Sequence, residues 1–271
     1  MEFLMTYILP VLIFGVIGCA AGALLVGASK LFFVETDETV SQLTEALPGG
    51  NCGACGFSGC EGYAKAVADD KAKTNLCKPG GSEAAKKLAG IMGTEALDAE
   101  RQVAFVRCNG CEGATEDRYI FVGTKSCVAT ERFYNGKGTC RSGCDGLGDC
   151  VNVCEHNAIS VINGVAVVNP SECGGCGRCA AVCPNKLIDM IPFSQRYGVR
   201  CSNIDSGKLT RAVCKNGCIG CKICEKKCPE GAIKVENNHA LIDGAKCSAC
   251  GKCAEACPQK CIALLPECAD K

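Results

Sequence analysis

An α+β fold of small cysteine-organised modules, standing behind one N-terminal transmembrane helix, is what the sequence predicts, and three observations carry it. Twenty-eight of the 271 residues are cysteine, the chain opens on a long uncharged run, and its last half repeats itself. At that density thiols, rather than an apolar core, must organise the fold. Trp is absent and aromatics make up 5% of the chain, so no large conventional core is available. Formal charge is zero, which argues against a nucleic-acid partner.

From Phe3 to Ser29 no residue is charged. At about 1.5 Å per residue this run exceeds the roughly 30 Å hydrocarbon core of a bilayer, so residues 1–34 are read as a retained single-pass anchor. A cleaved signal peptide would need a basic start, where this chain has Glu2. Gly18 and Gly22 form a G-x-x-x-G pair that lets another helix approach closely.

Dense cysteine has three chemical readings: disulfides, zinc or iron–sulfur clusters. Disulfide frameworks show varied spacings, whereas here C-x2-C-x2-C-x3-C keeps recurring. Residues 35–100 form a first module, in which Asn51-Cys52-Gly53-Ala54-Cys55-Gly56-Phe57-Ser58-Gly59-Cys60 is followed by Cys77. Four thiolates are the complement of one [4Fe–4S] cluster, and the interleaved glycines let backbone N–H groups approach the sulfurs. Helix formers between Cys60 and Cys77 predict a short helix that returns the chain to the cluster. Four thiolates also suit tetrahedral zinc, the alternative at this module.

Laid on itself at an offset of 74 residues, the last half matches at Cys140, Cys144, Cys150, Cys154, Cys173, Cys176, Cys179 and Cys183. Their counterparts are Cys214, Cys218, Cys224, Cys228, Cys247, Cys250, Cys253 and Cys257. Eight coincidences at one offset make this a tandem duplication, with copy 1 at 140–200 and copy 2 at 201–271. Copy 2 carries the bacterial two-cluster ferredoxin run, in which the fourth Cys of each motif serves the other cluster. One set is therefore Cys218, Cys221, Cys224 and Cys257, and the other Cys247, Cys250, Cys253 and Cys228. Segments such as AIKVENNHALI between the motifs predict two short strands.

Copy 1 retains one intact set, Cys173, Cys176, Cys179 and Cys154. Its other set has Leu147 where the second Cys belongs, so Cys144, Cys150 and Cys183 lack a fourth ligand. Cys140 is the nearest candidate, and an incomplete [3Fe–4S] centre stays open. In the insert at 101–139, Cys108, Cys111 and Cys127 are also one short, and Cys201 or Cys214 can complete the count. Six clusters would use 24 cysteines; five result if Cys108, Cys111 and Cys127 are structural thiols. Cys19, Cys261 and Cys268 are read as non-ligands. His156 and His239 belong to no catalytic signature, and no phosphate loop or G-x-G-x-x-G opens a helix, so no catalytic residue is assigned.

With these features together, the chain resembles the B subunit of the Rnf electron-transport complex, in the longer form of anaerobes. The resemblance covers nearly the whole chain, and its most telling part is the pairing of an anchor with NCGACGFSGC. It implies a role in a respiratory membrane complex that oxidises reduced ferredoxin, reduces NAD and moves Na+ or H+. The expectation is a membrane-anchored electron-transfer subunit of a translocase, carrying five or six [4Fe–4S] clusters. Its cluster domains belong on the cytoplasmic side of the inner membrane, where thiolates stay reduced. Expected partners are reduced ferredoxin and the other subunits. Alternatives are a polyferredoxin serving a hydrogenase or heterodisulfide reductase, and a zinc-stabilised interaction module.

Charge is uneven: residues 35–100 carry 11 acidic and 6 basic side chains, and residues 208–234 carry 7 basic and 2 acidic. Soluble ferredoxins are typically acidic, so Lys222, Lys226 and Lys227 are the expected docking residues.

Overall fold

The computed structural model describes residues 9–31, 37–98 and 100–264. Cys268 and the expected anchor's residues 1–8 and 32–34 lie outside them. Helix α1 runs Leu9–Leu31, and Phe14, Val16, Ile17, Leu24, Leu25 and Val26 on it are exposed. Among the described residues, no helix is long and apolar enough to cross a membrane.

The first module is helical. Helix α2 (Glu38–Glu45) starts at Asp37, whose carboxylate accepts the Thr39 N–H. Helix α3 (Cys60–Ala68) is the predicted return helix, and α4 (Gly81–Met92) ends at Gly93 in the left-handed conformation. Leu43, Tyr63, Ala64, Val67 and Leu88 form their shared core. The buried Tyr63 hydroxyl donates to the Lys73 carbonyl at 2.7 Å and accepts the Leu76 N–H at 3.1 Å, which pins the segment leading into Cys77.

The rest is two ferredoxin-like units of one design. The first contains β1 (Gln102–Val106), α5 (Cys127–Tyr134), α6 (Asp149–Asn152), β2 (Ile159–Ile162), β3 (Val165–Val168), α7 (Arg178–Val182) and β4 (Ile188–Pro192). The second contains β5 (Tyr197–Val199), α8 (Gly207–Val213), α9 (Ile223–Lys227), β6 (Ile233–Glu236), β7 (His239–Ile242), α10 (Lys252–Glu255) and β8 (Ile262–Leu264). The hairpins β2–β3 and β6–β7 are the predicted strand pairs, both antiparallel. Each unit is closed by its first strand pairing with its last, β1 with β4 and β5 with β8.

Those closing pairs cross the divisions drawn on the sequence. Strand β1 lies in the segment read as an insert, and β5 lies at the end of the segment read as copy 1. Their registers are equivalent, with Val106 opposite Ile188 and Val199 opposite Ile262. The next residues also match, since the N–H groups of Arg107 and Arg200 donate to the carbonyls of Leu187 and Cys261, both at 2.7 Å. Cys108 and Cys201 are therefore repeat mates at an offset of 93, not 74. Between this point and the first motif, copy 1 carries 19 more residues than copy 2, which hides the match from a single-offset comparison.

Replacing Tyr63 with Phe removes both hydrogen bonds on the approach to Cys77. We expect local destabilisation of about 1–3 kcal/mol, read as roughly 5- to 150-fold faster amide exchange at Leu76 with little change in the two ferredoxin-like units.

Candidate cluster sites

The cysteines gather into rings around cavities. Among the described residues, no three His, Cys, Asp or Glu converge tightly enough to hold a single metal ion. In the first module Cys52, Cys55, Cys60 and Cys77 line one cavity of about 20 Å³. Asn51 holds this loop together, its side-chain oxygen accepting the Cys60 N–H at 2.8 Å. Gly59 sits at φ +138°, and a Cβ there would stand 2.9 Å from that oxygen. Burial pushes the Cys77 thiol up, the Gly80 N–H opposes this, and the thiolates of Cys60, Cys52 and Cys55 add to the rise.

In copy 2 the ring Cys218, Cys221, Cys224 and Cys257 lines one cavity, as the crossed ferredoxin pattern requires. Cys253 is raised by burial and by its neighbours Cys247 and Cys228, which places the exchanged fourth thiol with the second motif. In copy 1, Cys179 is pushed up to about 11 by burial and then by Cys173, Cys176 and Cys154. In these three sets the fold brings together the cysteines that the spacing groups.

The motif loops share one backbone. Gly220 and Lys222 flank Cys221 in the left-handed region, and so do Ala249 and Gly251 around Cys250 and Gly175 and Gly177 around Cys176. These kinks turn successive cysteines inward to a common centre. Gly146 and Gly148 repeat the kinks around Leu147, so the deviant loop keeps its shape and lacks only the sulfur.

The missing thiol comes from elsewhere in the chain. Cys127, Cys144, Cys150 and Cys183 line one cavity of about 20 Å³, so the fourth member of this ring is Cys127 rather than Cys140. Burial raises Cys127, while the N–H groups of Asp149 and Leu147 hold it down. Helix α5 delivers it: Ser126 caps this helix by accepting the Ala129 N–H at 3.2 Å. Fully buried Thr130 donates its N–H to the Ser126 carbonyl, as Thr210 does to Ser206 at the start of α8. Cys127 thus occupies the place of Gly207, where a Cβ would meet the Ile219 carbonyl at 2.7 Å. The sulfur that copy 2 takes from its loop, copy 1 takes from a helix N-terminus.

Cys140 faces a larger cavity, about 200 Å³, at the seam between the two copies. Cys108, Cys111, Cys144, Cys201 and Cys214 line it as well. Sequence reasoning also missed the role of Cys261. This fully buried thiol lies 3.6 Å from the Cys257 sulfur. As donor to the ring it holds the Cys257 thiol down to about 5 and lowers that of Cys218 as well. The corresponding residue in copy 1 is Leu187, so nothing in the repeat pointed to it.

The rings form a row. Arg178 bonds Glu155 and reaches the Gly50 carbonyl at 3.4 Å, between Cys176 of one ring and Cys52 of the first module. Cys179 neighbours Cys150, Cys144 neighbours Cys108 at the seam, and the Cys218 N–H donates to the Cys201 sulfur at 3.2 Å. Lys222, Lys226 and Lys227 are exposed, and Lys222 lines the Cys218 ring. His239 is buried on β7, with Nε2 3.1 Å from the Arg107 guanidinium.

Three family descriptions match these regions: "Putative Fe-S cluster" at residues 47–79, "LdpA Fe-S cluster-binding domain" at 140–194 and "4Fe-4S dicluster domain" at 217–262. Similar curated proteins run nearly the whole length. One is the B subunit of the ion-translocating oxidoreductase complex of Methanosarcina acetivorans, 41% identical over 92% of this chain and 94% of the relative. Another is the B subunit of the Na(+)-translocating ferredoxin:NAD(+) oxidoreductase complex of Acetobacterium woodii, 39% identical over 94% of this chain and 77% of the relative. A third is the B subunit of the proton-translocating ferredoxin:NAD(+) oxidoreductase complex of Clostridium ljungdahlii, 36% identical over 96% of this chain and 93% of the relative.

The shared loop shape makes the Cys127 assignment testable by relocation. Cys127→Ala is expected to lower anaerobically reconstituted iron by about four atoms per chain. Cys127→Ala combined with Leu147→Cys is expected to restore them, because Leu147 stands between the same left-handed kinks as Cys221. Failure of the double variant to recover iron, with the fold intact by circular dichroism, would refute the assignment.

Proposed function

The chain belongs to the family of B subunits of ion-translocating oxidoreductase complexes, and from that premise we propose how its own residues serve the task. With its iron–sulfur domains, family membership makes it an electron-transfer subunit of an ion-translocating ferredoxin:NAD oxidoreductase complex. The observation that carries the finer reading is the set of thiol rings, each of four cysteines and each beside another. We assign [4Fe–4S] clusters to Cys52, Cys55, Cys60 and Cys77; to Cys127, Cys144, Cys150 and Cys183; to Cys154, Cys173, Cys176 and Cys179; to Cys218, Cys221, Cys224 and Cys257; and to Cys228, Cys247, Cys250 and Cys253. A bound cluster supplies a one-electron carrier whose potential follows its hydrogen bonds and exposure. The thiolates hold it, the kinked loops aim N–H groups at the sulfurs, and Cys261 adds a donor at one ring.

Residues 1–34 are proposed as the anchor, on the uncharged run from Phe3 to Ser29 and the exposed apolar side chains of α1. The thiol-rich remainder is assigned to the cytoplasmic side. Reduced ferredoxin is the proposed donor, docking on the exposed Lys222, Lys226 and Lys227 beside the Cys218 ring. The acidic first module, next to the anchor, would repel such a donor and suits contact with the membrane subunits instead.

Two experiments test this reading. Charge reversal at Lys222, Lys226 and Lys227 is expected to slow reduction by reduced ferredoxin and flatten its ionic-strength dependence, since exposed charges are screened over about 8–10 Å at moderate salt. An unchanged rate with unchanged salt dependence would move the docking site elsewhere. Full-length protein is expected to remain with membranes through alkaline washing, and a chain starting at Asp37 to be soluble with its iron retained; release of the full-length chain by washing would remove the anchor.

A further inference from the structure

We propose that the seam between the two ferredoxin-like copies holds a sixth [4Fe–4S] cluster, on Cys108 and Cys140 of copy 1 and Cys201 and Cys214 of copy 2. The inference rests on the reading that this chain's thiol rings hold such clusters, and it adds a ring that neither copy possesses alone.

The four thiols are two pairs of repeat mates. Cys108 and Cys201 each follow the closing strand by two residues, and Cys140 and Cys214 each precede the first motif by four. Duplication has therefore placed the same two sulfurs on both sides of one cavity. Each of the four lies within electrostatic reach of the other three. A Cβ built on Gly110 would lie 3.5 Å from the Cys108 sulfur and 3.8 Å from the Cys214 sulfur, so Gly110 borders sulfurs from both copies. Backbone N–H groups already point at the ring, from Gly110 to Cys108 at 3.4 Å and from Cys218 to Cys201 at 3.2 Å.

Cys111 is the rival fifth thiol, and it differs in its repeat mate and its neighbours. At the offset of its loop its mate is Ile204, which carries no sulfur. Of the ring members it neighbours Cys214, where each member of the ring neighbours all three of the others.

The seam is stitched as a built site. Thr115 Oγ1 donates to the Val213 carbonyl at 2.8 Å and the Lys215 N–H to the Ala114 carbonyl at 2.8 Å. Asn216 Nδ2 donates to the Asn109 carbonyl at 3.0 Å, and Ser202 Oγ to the Ser142 carbonyl at 3.2 Å. These bonds hold the four cysteine-bearing loops at fixed spacing around about 200 Å³. Position adds a reason: the cavity lies between the Cys127 ring, whose Cys144 neighbours Cys108, and the Cys218 ring, whose Cys218 N–H donates to the Cys201 sulfur.

The test is iron, sulfide and zinc content of the full chain reconstituted anaerobically, with Mössbauer spectroscopy to count cluster iron. Wild type is expected to hold about 24 iron, four per cube. Cys140→Ser and Cys201→Ser are each expected to lose about a sixth of it or to convert one cluster to a [3Fe–4S] form, and Cys111→Ser to lose none. Wild type with about 20 iron, with or without one zinc, overturns the seam site and leaves the five-ring reading standing. Wild type without cluster iron overturns both. Iron lost in Cys111→Ser but kept in Cys201→Ser overturns the proposed ring.

Discussion

Four thiols facing one cavity is the constraint on which the rest of this structure depends. A thiol packs like a small hydrophobe, and the ring cysteines are counted among the buried cores: Cys150, Cys173 and Cys179 in copy 1, Cys218, Cys224 and Cys253 in copy 2, Cys77 in the first module. Its thiolate does not pack that way, because burial in low dielectric disfavours charge. Hence Cys150 is pushed up to about 12 and Cys224 to about 11, burial being the first cause of each. Without metal Cys150 and Cys224 hold their protons, and with it those protons leave. Folding of the modules and loading of their sites are then parts of one equilibrium.

The strands show why such coupling is needed. Beside two isolated bridges, four two-stranded sheets with strands of three to five residues make up the β structure among the described residues. Isolated pairs of that size are marginal in water. What joins hairpin, helix and closing pair in each unit is the crossed pattern, in which Cys257 leaves its own motif to serve the ring of Cys218. Each ring ties together segments far apart in sequence, much as a long-range cross-link does.

Much of this was legible because spacing is itself geometric. C-x2-C-x2-C fits one kinked loop, so Cys218, Cys221 and Cys224 could be grouped by sequence, and the hairpins followed from alternating short apolar runs. Three features were not legible. The closing strands β1 and β5 carry no cysteine, and their partners β4 and β8 are 80 or more and 60 or more residues away in the chain, so the copy boundaries fell too late. Cys127 sits on a helix whose counterpart in copy 2 has glycine at that place, so no offset could align it with a ligand. Cys261 aligns with an apolar leucine, and its hydrogen bond to Cys257 exists only in three dimensions.

The exchange of Cys127 for a loop cysteine shows what the duplication conserved in physical terms. A cluster site specifies where four sulfurs stand and says nothing about which chain segment brings each one. Copy 1 kept the left-handed kinks at Gly146 and Gly148, so its N–H groups stay aimed at the centre while Leu147 fills the vacated side-chain position. The cost of the change is length, since a helix must start where the sulfur is wanted. The added residues between Cys108 and Cys140 meet that need: α5 is capped by Ser126, Asp149 accepts both the Ser126 hydroxyl and the Val128 N–H at 3.0 Å, and Lys137 returns to Asp145 at 2.9 Å. Asp149 and Asp145 belong to the motif loop itself. The segment that supplies the displaced ligand is thereby fastened to the loop that lost it, and the insert becomes part of the site rather than an appendage to it.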